Sequence, residues 1–137
     1  MTEYERSRTM PALPEHVFDQ AAQVEQMDQW LPEEIRVHDD GLPAVTVREG
    51  GDEAETAALL RARPEQMRLE WGTRQDGAYA GWLQVAGLDG GPSAVTVHLS
   101  FFAEDHDPGE QAVNALLDRS LERLEDQVRL RVDGTAG

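Results

Sequence analysis

The stretch from Tyr4 to Pro32 constrains the fold most, because it forces the chain to turn sharply between two kinds of structure. Tyr4-Glu5-Arg6-Ser7-Arg8-Thr9-Met10 alternates as a β-strand does, with Tyr4, Arg6, Arg8 and Met10 on one face and Glu5, Ser7 and Thr9 on the other. Pro11 then blocks continuation of the strand, and Pro14 presets φ for the first turn of a helix that opens with Glu15-His16-Val17-Phe18. A second short helical run closes on Asp28-Gln29-Trp30-Leu31-Pro32.

Beyond Pro32, turn signals recur at even intervals: Asp39-Asp40-Gly41, Gly50-Gly51-Asp52, Pro64-Glu65-Gln66, Asp76-Gly77 and Asp89-Gly90-Gly91-Pro92. Short runs between such clusters read as an antiparallel meander, with strands over about 34–39, 43–49, 54–63, 67–74, 78–88 and 93–103. Met67, Leu69 and Trp71 share one face of their strand, opposite Arg68 and Glu70. Val95, Val97, Leu99 and Phe101 likewise oppose Thr96, His98 and Ser100, as in a sheet with one buried and one wet face. The run from Ala54 to Arg63 is rich in helix formers, and Asp52 with Glu55 would make a capping box. Pro64 and the turn spacing favour a strand there instead.

The last segment is a helix. Asp107 is placed to cap it, Pro108 to occupy its first position and Glu110 to complete a capping box. Val113, Leu116, Leu117, Ser120, Leu121, Leu124 and Val128 form one stripe at helical spacing, which predicts a helix over about 108–131. The chain is read as a single domain over 1–132, with 133–137 as a disordered tail.

Charge bounds the partners. Acidic residues number 27 against 12 basic ones, all arginine, for a formal net charge of −15. Nucleic acid and anionic membrane surfaces would be repelled. The acidity reads as a solubility device or as a docking face for a basic protein. The absence of cysteine excludes disulfides, thiolate metal sites and thiol nucleophiles. Met1-Thr2-Glu3-Tyr4-Glu5 has neither a basic region nor an apolar run, so no signal peptide is expected and a cytoplasmic location is.

In this order, the joints of the chain resemble the START-like superfamily, which includes Bet v 1 relatives and the polyketide cyclase/dehydrase group. The residues that carry the resemblance are Met10-Pro11-Ala12-Leu13-Pro14-Glu15-His16-Val17-Phe18, Trp30-Leu31-Pro32, Arg68-Leu69-Glu70-Trp71, Gly81-Trp82 and the amphipathic last helix. The resemblance implies an α+β helix-grip fold: a seven-stranded antiparallel sheet curled around the C-terminal helix, with two short helices after the first strand. It also implies a cavity between sheet and helix that holds a small hydrophobic molecule, lipid- or polyketide-like, with no cofactor.

On that footing Phe18, Trp30, Trp71, Tyr79, Phe101 and Leu117 are candidate pocket walls, with Tyr79 facing in and Trp82 facing out. Arg6 and Arg8 are candidate ligand residues, since an inward guanidinium can hold a carboxylate or enolate. They are equally placed to pair with Asp118, Glu122 or Glu125 of the last helix. Glu70 and Arg68 on the wet face are set for a cross-strand ion pair. Glu104-Asp105-His106-Asp107 reads as capping chemistry rather than a metal site, and the glycine pairs lack the helix and lysine of a phosphate loop. Three functions follow: a binding protein for a small hydrophobic molecule, an aromatase/cyclase-like enzyme using Arg8, or an acidic protein-interaction module. Whether the chain is an enzyme stays open.

Overall fold

The computed structural model describes residues 2–30, 35–39, 41, 44–49, 55–73, 79–101 and 109–136. Strand β1 (Thr2–Met10) is followed by helix α1 (Pro14–Ala22) and a 3-10 helix (Val24–Gln29). Strands β2 (Ile35–Asp39), β3 (Ala44–Glu49), β4 (Glu55–Arg63), β5 (Arg68–Thr73), β6 (Tyr79–Gly87) and β7 (Ser93–Phe101) form the meander, and helix α2 spans Glu110–Ala136. The seven strands make one antiparallel sheet in the order β1-β7-β6-β5-β4-β3-β2. The long helix packs on β1 and α1, giving the helix-grip arrangement.

Local chemistry explains the joints. Helix α1 begins at Pro14 without a side-chain cap, and the backbone N–H groups of His16 and Val17 bond to the Leu13 carbonyl. Ser93 Oγ donates to the Ala12 carbonyl at 2.6 Å, pinning the break after β1 to the start of β7. Segment 55–63 is a strand despite its helix-forming composition, because it is paired on both sides, to β3 and to β5. Tertiary pairing outweighs propensity here. Met67, expected to open the next strand, instead adopts φ 51° and closes a 3-10 turn over Pro64–Gln66. Its carbonyl is held by the Val85 N–H at 3.0 Å, so β5 starts one residue later.

The core joins Met10 of β1, Val17, Phe18 and Ala21 of α1, Leu69, Leu83, Val85, Val95 and Val97 of the sheet, and Val113, Leu117, Leu121, Leu124 and Val128 of α2. The α2 stripe thus faces inward as its periodicity predicts. The helix extends to Ala136, past the end expected near 131 and into the segment read as a tail. Backbone hydrogen bonding carries it beyond Val128, its last buried residue among those described. The Asp107 and Pro108 capping expectation, the Asp52 box and the His106 loop lie outside the described residues.

Candidate functional site

The inner face of the sheet is apolar. Leu60 of β4, Leu69 of β5, Leu83 and Val85 of β6 and Val95 and Val97 of β7 are buried there. Trp71 shares this face but is only half-buried, packed against the core with Met67, Val47 and Leu99. Its ring lies flat over Gly81, the residue opposite it on β6. A Cβ at Gly81 would stand 2.6 Å from Trp71 Nε1, so only glycine leaves room for the indole. Phe18, Trp30 and Leu117 are buried in the core cluster. Trp30 is 4% exposed, and its Nε1 is a buried side-chain donor without a partner among the described residues. Tyr79 and Phe101 face one another in the β6–β7 register, and their side chains lie outside the described residues.

Of the two roles open to the arginines of β1, the structure shows the ion pair. Arg6 donates from Nε and Nη2 to the two carboxylate oxygens of Asp118, at 2.8 and 2.7 Å. This bidentate grip holds the Asp118 carboxyl below its ordinary range and raises the guanidinium. Arg8 donates to Glu125 Oε1 at 2.9 Å, and Arg129, one turn on, donates to Oε2 at 2.8 Å. Glu125 is only 9% exposed. Burial pushes its carboxyl up, but the hydrogen bonds from Arg129 and Arg8, with their charges, outweigh this and leave it below the usual range. The two pairs tie α2 to β1.

The outer face carries a second polar cluster. Glu70 accepts from Arg63 at 2.8 Å and Arg68 at 2.9 Å, which lowers its pKa. The Arg68 guanidinium sits 4.5 Å from the Trp82 ring centroid, and Trp82 stacks on His98 at 5.1 Å with the rings 3° from parallel. His98 in turn lies 3.3 Å from Glu5 and 3.5 Å from Glu3. Trp82 therefore faces away from the core, as its alternation predicts.

A cleft of about 500 Å³ opens where the turn after β1 meets the β6–β7 hairpin. Pro11, Ala12, Leu13, His16, Gly90, Gly91 and Pro92 line it, and it lies outside the sheet–helix interior. Sequence reading took these prolines and glycines as turn formers only. It also missed Gln20, buried at 4% exposure with its amide bonded to Gln26 at 2.8 Å. No helix among the described residues is long and apolar enough to cross a membrane, and no group of metal-ligating side chains is found among them.

Comparison with known proteins sets this geometry in a family. The family model described as polyketide cyclase/dehydrase and lipid transport matches residues 1–129. No curated protein matches the sequence significantly. Among solved structures, the chain is similar to the di-domain aromatase/cyclase BexL of the BE-7585A biosynthetic pathway, with a TM-score of 0.73 and 17% identity over 95% of this chain. It spans about half of that protein, 47% of its length. A START superfamily protein from Mycobacterium smegmatis superposes with a TM-score of 0.69 at 16% identity, covering 97% of this chain and 98% of that one. The Zhui aromatase/cyclase from Streptomyces sp. R1128 gives 0.69 at 16% identity, covering 96% and 95%. At such identities the structural likeness speaks for the fold. The chain belongs to the polyketide cyclase/dehydrase and lipid transport family.

Proposed function

We propose that this family member binds a small hydrophobic molecule between the inner face of its sheet and α2. The observation that carries the reading is the Trp30 indole N–H, buried and without an acceptor among the described residues. A buried donor left unpaired costs about 1–3 kcal/mol, and such groups in native folds mark water, ions or ligands. An apolar ligand bearing an oxygen acceptor would offset that cost. The half-buried inner face of Trp71 supplies a flat wall for it. In this reading Arg6 and Arg8 anchor α2 to β1 and do not meet the ligand, because helix carboxylates already occupy both guanidiniums.

Native mass spectrometry of protein purified gently from its own cells tests this. The expected result is a retained small molecule whose release changes tryptophan emission. Trp30→Phe, which leaves a smaller aromatic ring without the N–H, should weaken retention at least about fivefold, the worth of one hydrogen bond or more. Trp82→Phe, on the opposite face, should leave retention unchanged. A protein that carries no ligand and takes up neither a fatty acid nor an aromatic polyketide would sink the proposal.

A further inference from the structure

On the outer face of the sheet the pairing registers align one residue from each of five adjacent strands. Glu5 of β1 opposes His98 of β7, His98 opposes Trp82 of β6, Trp82 opposes Glu70 of β5, and Glu70 opposes Arg61 of β4. Trp82 is the middle of this row. Strands lie about 4.8 Å apart, so the ends of the row, Glu5 and Arg61, are about 19 Å apart and carry opposite charges.

The neighbouring positions repeat the pattern. On β6 the outward residues are Ala80, Trp82, Gln84 and Ala86, and on β7 they are Ala94, Thr96, His98 and Ser100. Neither strand presents a carboxylate or a guanidinium on this face, in a chain with 28% charged residues. The charges stand on the flanks. Glu3 and Glu5 are exposed on β1, while among the described side chains of β4 and β5 this face presents Arg61, Arg63 and Arg68 against Glu70. A tryptophan held between His98 and the Arg68 guanidinium, with acids on one flank and arginines on the other, has the aromatic and arginine enrichment of a protein interface.

We propose that this face pairs with the same face of a second copy about a two-fold axis over Trp82. A two-fold axis between the faces and parallel to the strands exchanges the ends of the row, so Glu5 of each copy meets Arg61 of the other. The face is self-complementary only because its acidic and basic flanks lie equally far from Trp82. A basic protein would match the β1 flank and be repelled by the β4 flank. The net charge of −15 on each copy opposes association at long range. At about 0.15 M salt the Debye length is about 8 Å, which screens that general repulsion more than ion pairs in contact.

Sedimentation equilibrium of the full chain at that ionic strength tests the proposal. The expected mass is twice 15.2 kDa. Glu5→Arg and Arg61→Glu should each weaken dimerisation at least about tenfold, because the symmetry creates each like-charge contact twice. An equimolar mixture of the two variants should recover dimers, since one copy then offers two arginines to two glutamates. The double variant should dimerise alone. Circular dichroism melting of each variant separates loss of pairing from loss of fold. A monomeric wild type at about 100 μM, weaker than the micromolar range of a modest specific interface, would overturn the proposal. So would a dimer indifferent to both reversals, or a mixture that fails to recover it. The proposal does not depend on ligand binding, and retention of a small molecule is read separately.

Discussion

At Gly81 the chain gives up a side chain so that another can lie down. The Trp71 indole occupies the space a Cβ would take, with its Nε1, Cε2 and Cζ2 atoms all within 2.8 Å of that position. Replacing Gly81 with alanine should therefore destabilise the fold by about 1–3 kcal/mol through overpacking. The same substitution in a Trp71→Ala background should cost far less, because the obstructing ring is gone. Urea unfolding of the four proteins measures the coupling, and additive losses would show that the ring yields without strain. Sequence alone marks Gly81-Trp82 as a familiar pair and places Trp71 inward. It does not say that Trp71 and Gly81 are neighbours, because that depends on the β5–β6 register, which only the assembled sheet fixes. Trp30 presents the same difficulty. Its burial follows from its place at the close of the 3-10 helix, but that its Nε1 meets no acceptor among the described residues is visible only in the folded chain.

Between elements, β1 and α2 are joined by two clamps of unequal character. Asp118 and Glu125 stand two helical turns apart, about 10.5 Å along the axis, while Arg6 and Arg8 are about 6.8 Å apart along the strand. The long arginine side chains make up the difference. The Arg6–Asp118 pair is about half exposed on both sides, at 44% and 50%, and solvent screens it. Glu125 is 9% exposed and serves two guanidiniums, so removing its charge strands donors in a drier setting. Glu125→Gln should cost about 1–3 kcal/mol, and Asp118→Asn distinctly less. Urea midpoints of the two variants give the order, and equal shifts would mean that burial does not set the strength of these clamps. The alternation of β1 was enough to place Arg6 and Arg8 on the face of Met10, with Asp118, Glu122 or Glu125 as possible partners, of which Asp118 and Glu125 hold them. A period of two gives the face and not the depth, so the choice between ligand and helix stayed open in the sequence. The order of elements was legible throughout, because proline and glycine punctuate each joint. The strand over Ala54–Arg63 was legible from turn spacing and hidden by its own composition, a contest settled only by β3 and β5 on either side.

For the molecule as a whole, two electrostatic effects of opposite sign set how stability depends on pH. The first is local. Asp118, Glu70 and Glu125 are all held below their ordinary carboxyl values, the first two chiefly by hydrogen bonds from arginine and the third by Arg129 and Arg8 against the pull of burial. A carboxyl with a depressed folded pKa binds fewer protons folded than unfolded, so its contribution is complete above the unfolded value, about 4–4.5, and is lost as pH falls through the folded one. The second effect is global. A formal charge of −15 makes the compact state repel itself at neutral pH, and protonating unpaired carboxylates relieves it. The 27 acids outnumber the 12 arginines, so most carboxylates have no guanidinium to themselves. Acidification from neutrality should thus first raise the melting temperature as the repulsion eases. Below about pH 4 the trend should reverse as the paired carboxylates take up protons. Melting curves from pH 3 to pH 8 would trace a maximum on the acid side of neutrality. In Glu125→Gln the acid limb should be shallower, because one of the depressed carboxyls no longer titrates, while the neutral limb keeps its slope. A melting temperature that falls steadily from pH 7 downward would mean that the three guanidinium-held carboxylates, and not the excess of negative charge, govern the whole range.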